Sequence, residues 1–354
     1  MPYIHSVTRA LAPHAYSQEE LTSALLEIWG RRHVNPERIL RFQRNVLVGG
    51  RNLAVPLEQY DHLGDLGTAN DAWLDAAVPM ATQATRELLE GAGLAATDIS
   101  QLTSTTVTGL AVPSLDARLM NTLGFSRDTR RTPLFGLGCL AGVAGINRVG
   151  DYLKGHPDQA AVLVAVELCS LTLQRDDLSV ANMIASGLFG DGCAAVLMVG
   201  DEHPLAKTSP LEWSNPRSAF FPNTERVMGW DVVGSGFKVV LSPEVPQLVA
   251  EELPGEVDGL MKDAGMSGTR PEFIVAHPGG PKVLQALENA LDLDPSDLRL
   301  SWESLKTYGN MSSASVLFIL HDTIQKPPPP GSVGIMAALG PGFCAELNVL
   351  RSAA

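Results

Sequence analysis

The sequence predicts an α/β fold, in which helices cover both faces of a buried sheet. The chain has 354 residues, of which 45% are hydrophobic and 18% charged, enough apolar side chains for a large core. From about residue 72, segments with the spacing of helices alternate with segments typical of strands. One segment, Ala160 to Val166, is apolar throughout, as expected for a strand that is covered on both faces.

The elements follow from this periodicity in chain order. An amphipathic helix is predicted over residues 17–45, with Ser17 as its N-cap. The N-terminal part then predicts helix Met80–Ala92, strand Leu102–Thr108, helix Leu115–Leu123, strand Pro133–Leu137, helix Leu140–Leu153 and strand Ala160–Val166. The C-terminal part predicts strand Phe273–Ala276, helices Pro281–Leu291 and Ser312–Ile324, strand Val333–Leu339 and a partner strand from Cys344. We therefore expect two α/β halves of similar size, residues 1–200 and 201–354.

Charge and cysteine content narrow the class of protein. The 26 basic and 39 acidic residues give a net charge of −13, which argues against a nucleic-acid or anionic-membrane surface. The four cysteines form no C-x-x-C pair, so neither a zinc site nor a disulfide framework is expected, and no metal is predicted. Because the chain starts without a signal segment and has no apolar stretch of membrane-spanning length, we expect a soluble cytoplasmic protein.

A group of arginines between residues 31 and 51 runs against the acidic trend. Its members are Arg31, Arg32, Arg38, Arg41, Arg44 and Arg51. Taken alone, the segment is best interpreted as a solvated helix face, and a binding site for an anionic ligand is the alternative.

Cys139 is a candidate nucleophile because it lies where a predicted strand gives way to a helix. The segment from Gly136 to Gly142 reads GLGCLAG, and its small residues allow a tight turn. Unpaired N–H groups at a helix start favour a thiolate by about 0.3–1 kcal/mol. The alternatives are a buried packing cysteine and a dinucleotide-binding loop of the G-x-G-x-x-A type, for which Glu167 at the end of the next strand would be the ribose ligand.

Two further junctions carry residues that complement a cysteine. His277 follows the apolar strand Phe273–Ala276, and Asn310 precedes the apolar helix that begins near Ser312. Singly, each has an ordinary explanation, a histidine bonded to a loop carbonyl and an asparagine cap. Together, an imidazole can hold a thiolate, and an imidazole with an amide can stabilise an enolate oxygen.

At these segments the sequence resembles the type III polyketide synthases, the chalcone-synthase-like branch of the thiolase-fold condensing enzymes. The resemblance rests on GCLAG at Gly138, HPGGP at His277 and YGNMSSA at Tyr308, with LFGDG at Leu188 and GPG at Gly340. It covers nearly the whole chain. It implies a thiolase-like five-layered αβαβα fold built from two similar halves, a homodimer, and coenzyme A (CoA) thioesters as substrates without a further cofactor.

The resemblance also implies roles for individual residues. Cys139, His277 and Asn310 would be catalytic, and Phe189 would be a gate between the CoA tunnel and the cavity. The implied cavity positions are Val107, Thr108, Cys169, Thr172, Ala185 and Val239, and Val112 would reach the cavity of a partner subunit. Arg38 and Arg41, with Gly279 and Gly280, would bind CoA, which favours the anion-site interpretation of the arginines.

The implied reaction is an acyl transfer, in which malonyl-CoA loses carbon dioxide and extends an acyl-CoA starter held on Cys139, before cyclisation to a pyrone, a phenol or a resorcinol. Cys169, Ala185 and Val239 depart from the plant pattern, which favours a bacterial enzyme. Two alternatives stay open, a ketosynthase III that condenses once on a carrier-protein thioester, and a non-catalytic partner subunit of a synthase.

Overall fold

The computed structural model describes residues 1–30 and 34–353. The strands are β1 (Tyr3–Leu11), β2 (His14–Ser17), β3 (Gly50–Leu53), β4 (Ile99–Thr106), β5 (Arg130–Phe135), β6 (Ala160–Leu168), β7 (Asp191–Val199), β8 (Leu211–Phe220), β9 (Met228–Val233), β10 (Gly236–Leu241), β11 (Phe273–Ala276), β12 (Val333–Gly340) and β13 (Cys344–Ser352). The α-helices are α1 (Gln18–Gly30), α2 (Pro36–Asn45), α3 (Leu66–Ala92), α4 (Leu115–Leu123), α5 (Ala141–Lys154), α6 (Val180–Leu188), α7 (Val245–Asp263), α8 (Pro281–Ala290), α9 (Arg299–Tyr308) and α10 (Ser313–Gln325). The 3-10 helices are Leu57–His62, Ala96–Asp98, Gly138–Leu140, Cys169–Thr172 and Pro204–Thr208.

Nine strands form the main sheet in the order β11-β12-β13-β8-β1-β7-β6-β4-β5. The strands of residues 1–200 occupy one end of this order, and those of residues 201–354 occupy the other. The two ends meet where β1 pairs with β8 through only two residue pairs, Tyr3 with Glu212 and Ile4 with Leu211. The main sheet therefore consists of two parts, one from each half of the chain, which are joined only by these two residue pairs.

Two helices occupy the space between these sheets and place the site. α5 and α10 pack on each other and contact strands of both sheets, and most of their residues are buried. On the outer faces, α3 covers β1, β6 and β7, while α7 lies over β8 and β13. The layers alternate as helix, sheet, helix, sheet, helix, so the five-layered thiolase-like fold is confirmed.

Most of the predicted elements are present with ends that differ by a few residues, but helix α3, which was predicted to start at Met80, begins at Leu66. The strand Phe273–Ala276 has the predicted bounds. The helix predicted over residues 17–45 is wrong, because α1 ends at Gly30 and α2 begins separately at Pro36. Asn35 caps α2 by accepting a hydrogen bond from Glu37 N, and Pro36 at the first helical position fits only a helix start. Ser17 ends β2, and its hydroxyl accepts from Glu20 N at 3.2 Å, as expected of a cap.

A hairpin that the periodicity did not predict covers the site. β9 and β10 pair antiparallel around the two-residue loop Gly234–Ser235. The loop is fixed to the N-terminal half, because Gly234 O accepts from Leu66 N at 3.0 Å and Ser235 Oγ donates to Gln174 Oε1 at 2.6 Å. The hairpin therefore forms one side of the cavity that contains the candidate site.

Candidate active site

Cys139, His277 and Asn310 line one cavity, although they are far apart in the sequence. Cys139 follows β5, His277 follows β11 and Asn310 lies between α9 and α10. The short connections between these elements bring the three side chains to the same edge of the central layers. The convergence predicted from the sequence is therefore present.

Glycines fix the position of Cys139. Gly136 and Gly138 have φ values of 90° and 54°, a region that side chains disfavour, and a Cβ on Gly138 would lie 2.5 Å from Pro341 Cδ. Cys139 lies in the 3-10 helix Gly138–Leu140, directly before α5. Burial raises the pKa of its thiol to about 11, while hydrogen bonds from the Ser312 and Asn310 side chains act in the opposite direction.

The position of the His277 imidazole is fixed through the backbone of this residue and not through hydrogen bonds of the ring. His277 N donates to Ala337 O at 3.0 Å, whereas neither ring nitrogen has a partner among the described residues. Burial lowers the pKa of His277 to about 3, so the ring is neutral at neutral pH. Burial therefore disfavours the ionised form of both the thiol and the imidazole, which opposes the thiolate expected from the sequence.

The amide of Asn310 has a fixed orientation. Its Oδ1 accepts from Ser312 N at 2.8 Å, and its Nδ2 donates to Gly279 O at 3.2 Å. Because Oδ1 is occupied, the remaining Nδ2 hydrogen is the group available to the cavity. Ser312 holds this arrangement with a positive φ of 47°, unusual for a residue other than glycine.

Glu167 is a buried carboxylate beside the cavity. Its oxygens accept from Val107 N at 3.1 Å, Thr108 Oγ1 at 2.8 Å and Ser313 Oγ at 2.5 Å. Burial raises its pKa to about 7. Since both oxygens are bonded within the protein, Glu167 is not placed to bind a ribose, which argues against the dinucleotide alternative.

The comparisons identify the family. The N-terminal domain model of chalcone and stilbene synthases matches residues 59–202, and the C-terminal domain model matches residues 213–354. The chain belongs to the chalcone and stilbene synthase family. This match decides against the ketosynthase III alternative, and the chain is a type III polyketide synthase, an acyltransferase.

Relatives and solved structures agree with this assignment. The 1,3,6,8-tetrahydroxynaphthalene synthase of Streptomyces peucetius subsp. caesius is 44% identical over 349 residues, 98% of this chain and 92% of the relative. A putative chalcone synthase of Bacillus subtilis (strain 168) is 32% identical, over 98% of both chains. The crystal structure of the tetrahydroxynaphthalene synthase of Streptomyces coelicolor A3(2), a bacterial type III polyketide synthase, superposes with a TM-score of 0.92 at 30% identity and covers 99% of both chains.

The cavity positions inferred for this polyketide synthase fall into two compartments. Val107 lines the catalytic cavity, whereas Cys169, Thr172 and Ala185 line a second chamber. Phe189 and Val239 line both compartments, so Phe189 lies where the two meet, and its role as a gate to the CoA tunnel stays a prediction.

Two of the inferred positions lie elsewhere. Thr108 lines neither compartment, since its hydroxyl is bonded to Glu167. Val112 is 98% exposed within this chain.

The sequence analysis did not predict Trp230. It lies on β9 and lines the catalytic cavity, with its ring centroid 5.9 Å from that of Phe189. The sequence signal that marks Trp230 is a β-hairpin pattern, in which two strand-like segments flank Gly234–Ser235.

The arginines divide into exposed and buried residues. Arg38, Arg41 and Arg44 line an exposed recess on α2 that shares no lining residue with the catalytic cavity. Arg51 does not belong to this surface, because it is buried on β3, so the prediction of one continuous basic cluster is wrong there. Arg31 and Arg32 lie outside the described residues. Of the two glycines, Gly279 lines the cavity and Gly280 precedes α8 with a φ of 147°.

Within residues 1–30 and 34–353, no three His, Cys, Asp or Glu side chains are grouped so that they could hold a metal ion. None of the helices there combines the length and the apolar character needed to cross a membrane.

Proposed function

We propose that Cys139, His277 and Asn310 catalyse the decarboxylative condensation of this type III polyketide synthase. The observation that carries the proposal is the fixed amide of Asn310. Its Oδ1 is bonded to Ser312 N, so a donor hydrogen is directed to the cavity that also contains the thiol and the unpaired imidazole. A donor in this place stabilises an oxygen that gains negative charge.

Acyl loading starts from the neutral pair. The Cys139 sulfur attacks the carbonyl carbon of the starter thioester, while the thiol proton passes to His277. The carbon–sulfur bond to CoA then breaks, and the departing CoA thiolate takes up that proton. Because burial disfavours both ionised forms, proton transfer accompanies bond formation and does not precede it.

Chain extension uses malonyl-CoA. The bond between its carboxylate and the α-carbon breaks, carbon dioxide leaves, and the electron pair forms an enolate whose oxygen accepts hydrogen bonds from Asn310 and His277. The enolate carbon attacks the acyl group on Cys139, and the sulfur leaves. The extended chain returns to Cys139 by thioester exchange with release of CoA. Loss of carbon dioxide drives each round, so these steps need no metal or redox cofactor.

For the starter, the relatives favour malonyl-CoA itself. Relatives are named for 1,3,6,8-tetrahydroxynaphthalene and phloroglucinol, both small polyhydroxylated aromatics. A fatty acyl starter that gives an alkylpyrone or a resorcinol is the second candidate. It is supported by the second chamber, whose apolar wall continues from Phe189 to Leu25 and Ile28 on α1.

We also propose how CoA is bound, which oligomer the enzyme forms and where in the cell it is located. Arg38 and Arg41, together with Arg44, supply positive charge for the CoA phosphates. Gly279, which lines the catalytic cavity, and the adjacent Gly280 bind the part of CoA that enters it. We place the enzyme as a homodimer in the cytoplasm, where its four unpaired cysteines remain reduced.

Incubation with labelled malonyl-CoA, with and without hexanoyl-CoA, tests the function. The wild type is expected to release carbon dioxide and to give products extended more than once, identified by mass. Asn310→Ala should lower the rate of decarboxylation about 10²- to 10³-fold, as the loss of one oxyanion donor does in other enzymes. Asn121→Ala, which changes an exposed asparagine, is the control. If the purified wild type releases no carbon dioxide, the proposal is wrong and the chain is the non-catalytic subunit.

A further inference from the structure

Arg51 is a buried guanidinium below the gate. It lies on β3 with 5% of its surface exposed, and its Nη1 donates to Phe189 O at 2.7 Å and to Ser186 O at 2.8 Å. Burial lowers its pKa to about 10, so it remains charged at neutral pH. Its Nε is buried without a partner among the described residues. A buried charge with an unsatisfied hydrogen costs free energy, which calls for a reason to retain it.

The peptide that Arg51 holds is connected directly to the catalytic amide. Asn310 N donates to Leu188 O at 2.8 Å, and Gly190 N donates to Asn310 O at 3.0 Å. These two hydrogen bonds flank Phe189, so the gate and Asn310 share one short bridge of backbone. Arg51 binds the carbonyl in the middle of that bridge.

The bridge has almost no free space. A Cβ on Gly190 would lie 2.4 Å from Tyr308 O, and a Cβ on Gly309 would lie 2.6 Å from Leu188 O. The same atom on Gly309 would lie 3.1 Å from Arg51 Cδ. A movement of Arg51 is therefore transmitted to both segments, since close-packed interiors shift as units.

An anchored carboxylate holds the charge of Arg51 in place. Asp191 follows the bridge, and its attraction partly offsets the effect of burial on the pKa of Arg51. The oxygens of Asp191 accept from Ala54 N at 2.7 Å, Ser170 N at 2.8 Å and Ser170 Oγ at 2.5 Å. Because these bonds fix Asp191, the electrostatic field that retains the guanidinium is fixed as well.

We infer that Arg51 is a positioning residue that fixes the Phe189 peptide and, through it, the distance of the Asn310 amide from Cys139. The inference rests on the proposed role of Asn310 in decarboxylation. Cys139 and His277 lie on other segments, and Ser312 lowers the pKa of the Cys139 thiol more than Asn310 does, so Arg51 acts mainly on enolate stabilisation and only weakly on the reactivity of the sulfur. A misplacement of about 1 Å in an active site is enough to lower a rate about 10²-fold.

Arg51→Met and Arg51→Lys test this in the full-length enzyme. Three quantities are measured, kcat and KM for decarboxylation of malonyl-CoA, the alkylation rate of Cys139 by iodoacetamide, and the melting temperature. Arg51→Met should lower kcat about 10- to 100-fold with KM and alkylation changed less than about twofold, and Arg51→Lys should recover part of kcat. Arg217→Met, which removes ion pairs to Glu256 and Asp263 far from the site, is the matched control.

The outcomes separate a positioning role from a structural one. If kcat is unchanged in Arg51→Met, or if kcat, alkylation and melting temperature all fall together, the inference is wrong. Should Arg51→Met fail to fold, Arg51→Lys decides by the same criteria. Failure of the proposed function is distinct, because Asn310→Ala would then decarboxylate as fast as the wild type.

Discussion

At the scale of single residues, desolvation is the main electrostatic force in the site. Burial is the largest cause of the raised pKa of Cys139 and Glu167 and of the lowered pKa of His277. Where water is excluded, an ionised group is stabilised strongly by a partner charge that forms beside it. Burial therefore sets the direction in which each of these three pKa values shifts.

Glu167→Gln should change how stability depends on pH. The folded-state pKa of Glu167 is raised from 4.5 to about 7 by burial, so the folded protein binds this proton more tightly than the unfolded chain. Stability is therefore lost as the pH rises through that window, by on the order of 3 kcal/mol at pH 8. Glutamine does not ionise, so the free energy of unfolding of the variant relative to the wild type should increase between pH 5 and pH 8.

Urea unfolding at the two pH values measures this difference. The control is Glu90→Gln, which changes an exposed glutamate on α3 and should give the same difference from the wild type at both values. Equal pH dependence of the Glu167 and Glu90 variants would mean that Glu167 is not held in the protonated form by burial.

The convergence of Cys139, His277 and Asn310 could be predicted from the sequence because each marks a junction between a strand or loop and a helix. The burial of Arg51 could not, since its local sequence is that of a polar, exposed segment. The Arg51 side chain is buried only because β3 contacts the ends of α6 and α9 in the folded protein. Thr108 is a similar case, because its hydroxyl donates to Glu167, which is 59 residues later in the sequence and is brought close by the pairing of β4 with β6.

At the scale of elements, periodicity predicted α5, α10 and the strands towards both ends of the main sheet, and it missed β1, β7 and β8 in the middle of the sheet as well as the hairpin of β9 and β10. β6, β11 and α10 are buried on most sides, so their sequences are long apolar segments with clear ends. β9 and β10 are half-exposed and partly polar, so the same criteria miss them. The missed hairpin nevertheless carries Trp230, which shows that a weakly patterned element can determine the shape of a cavity.

Trp230→Ala should alter the choice of starter. The indole lines the catalytic cavity and lies against Phe189, which borders both compartments, so its removal widens the cavity beside the passage at Phe189. A pocket contact of this size changes the discrimination between two substrates by about 1–3 kcal/mol. The ratio of kcat/KM for dodecanoyl-CoA to that for hexanoyl-CoA should therefore increase about 10-fold or more.

Steady-state kinetics with the two thioesters provides the measurement. Val232→Ala is the control, since it shortens an exposed side chain on the same strand. If both variants show the wild-type ratio, Trp230 does not control the passage.

At the scale of the whole molecule, the sheet ends in a strand that is paired on one side only. Among the residues that the structure describes, β5 pairs with β4 alone, and its outer backbone groups are available to another strand. Phe135 on β5 is 53% exposed, and the loop before α4 presents Leu110 and Val112. Exposed apolar side chains beside an open strand edge are typical of a subunit interface.

Phe135→Glu should therefore weaken the homodimer. A carboxylate in the centre of a symmetric interface would face its own copy, and like charges brought together are unfavourable. Analytical ultracentrifugation should give twice the chain mass of 37.7 kDa for the wild type and the single mass for the variant at micromolar concentration. Leu178→Glu, which places the same charge on an exposed leucine at the start of α6, should remain dimeric. A wild type of single-chain mass, or a Phe135 variant as dimeric as the control, would show that β5 is not the interface, and Val112 would then have no partner cavity to reach.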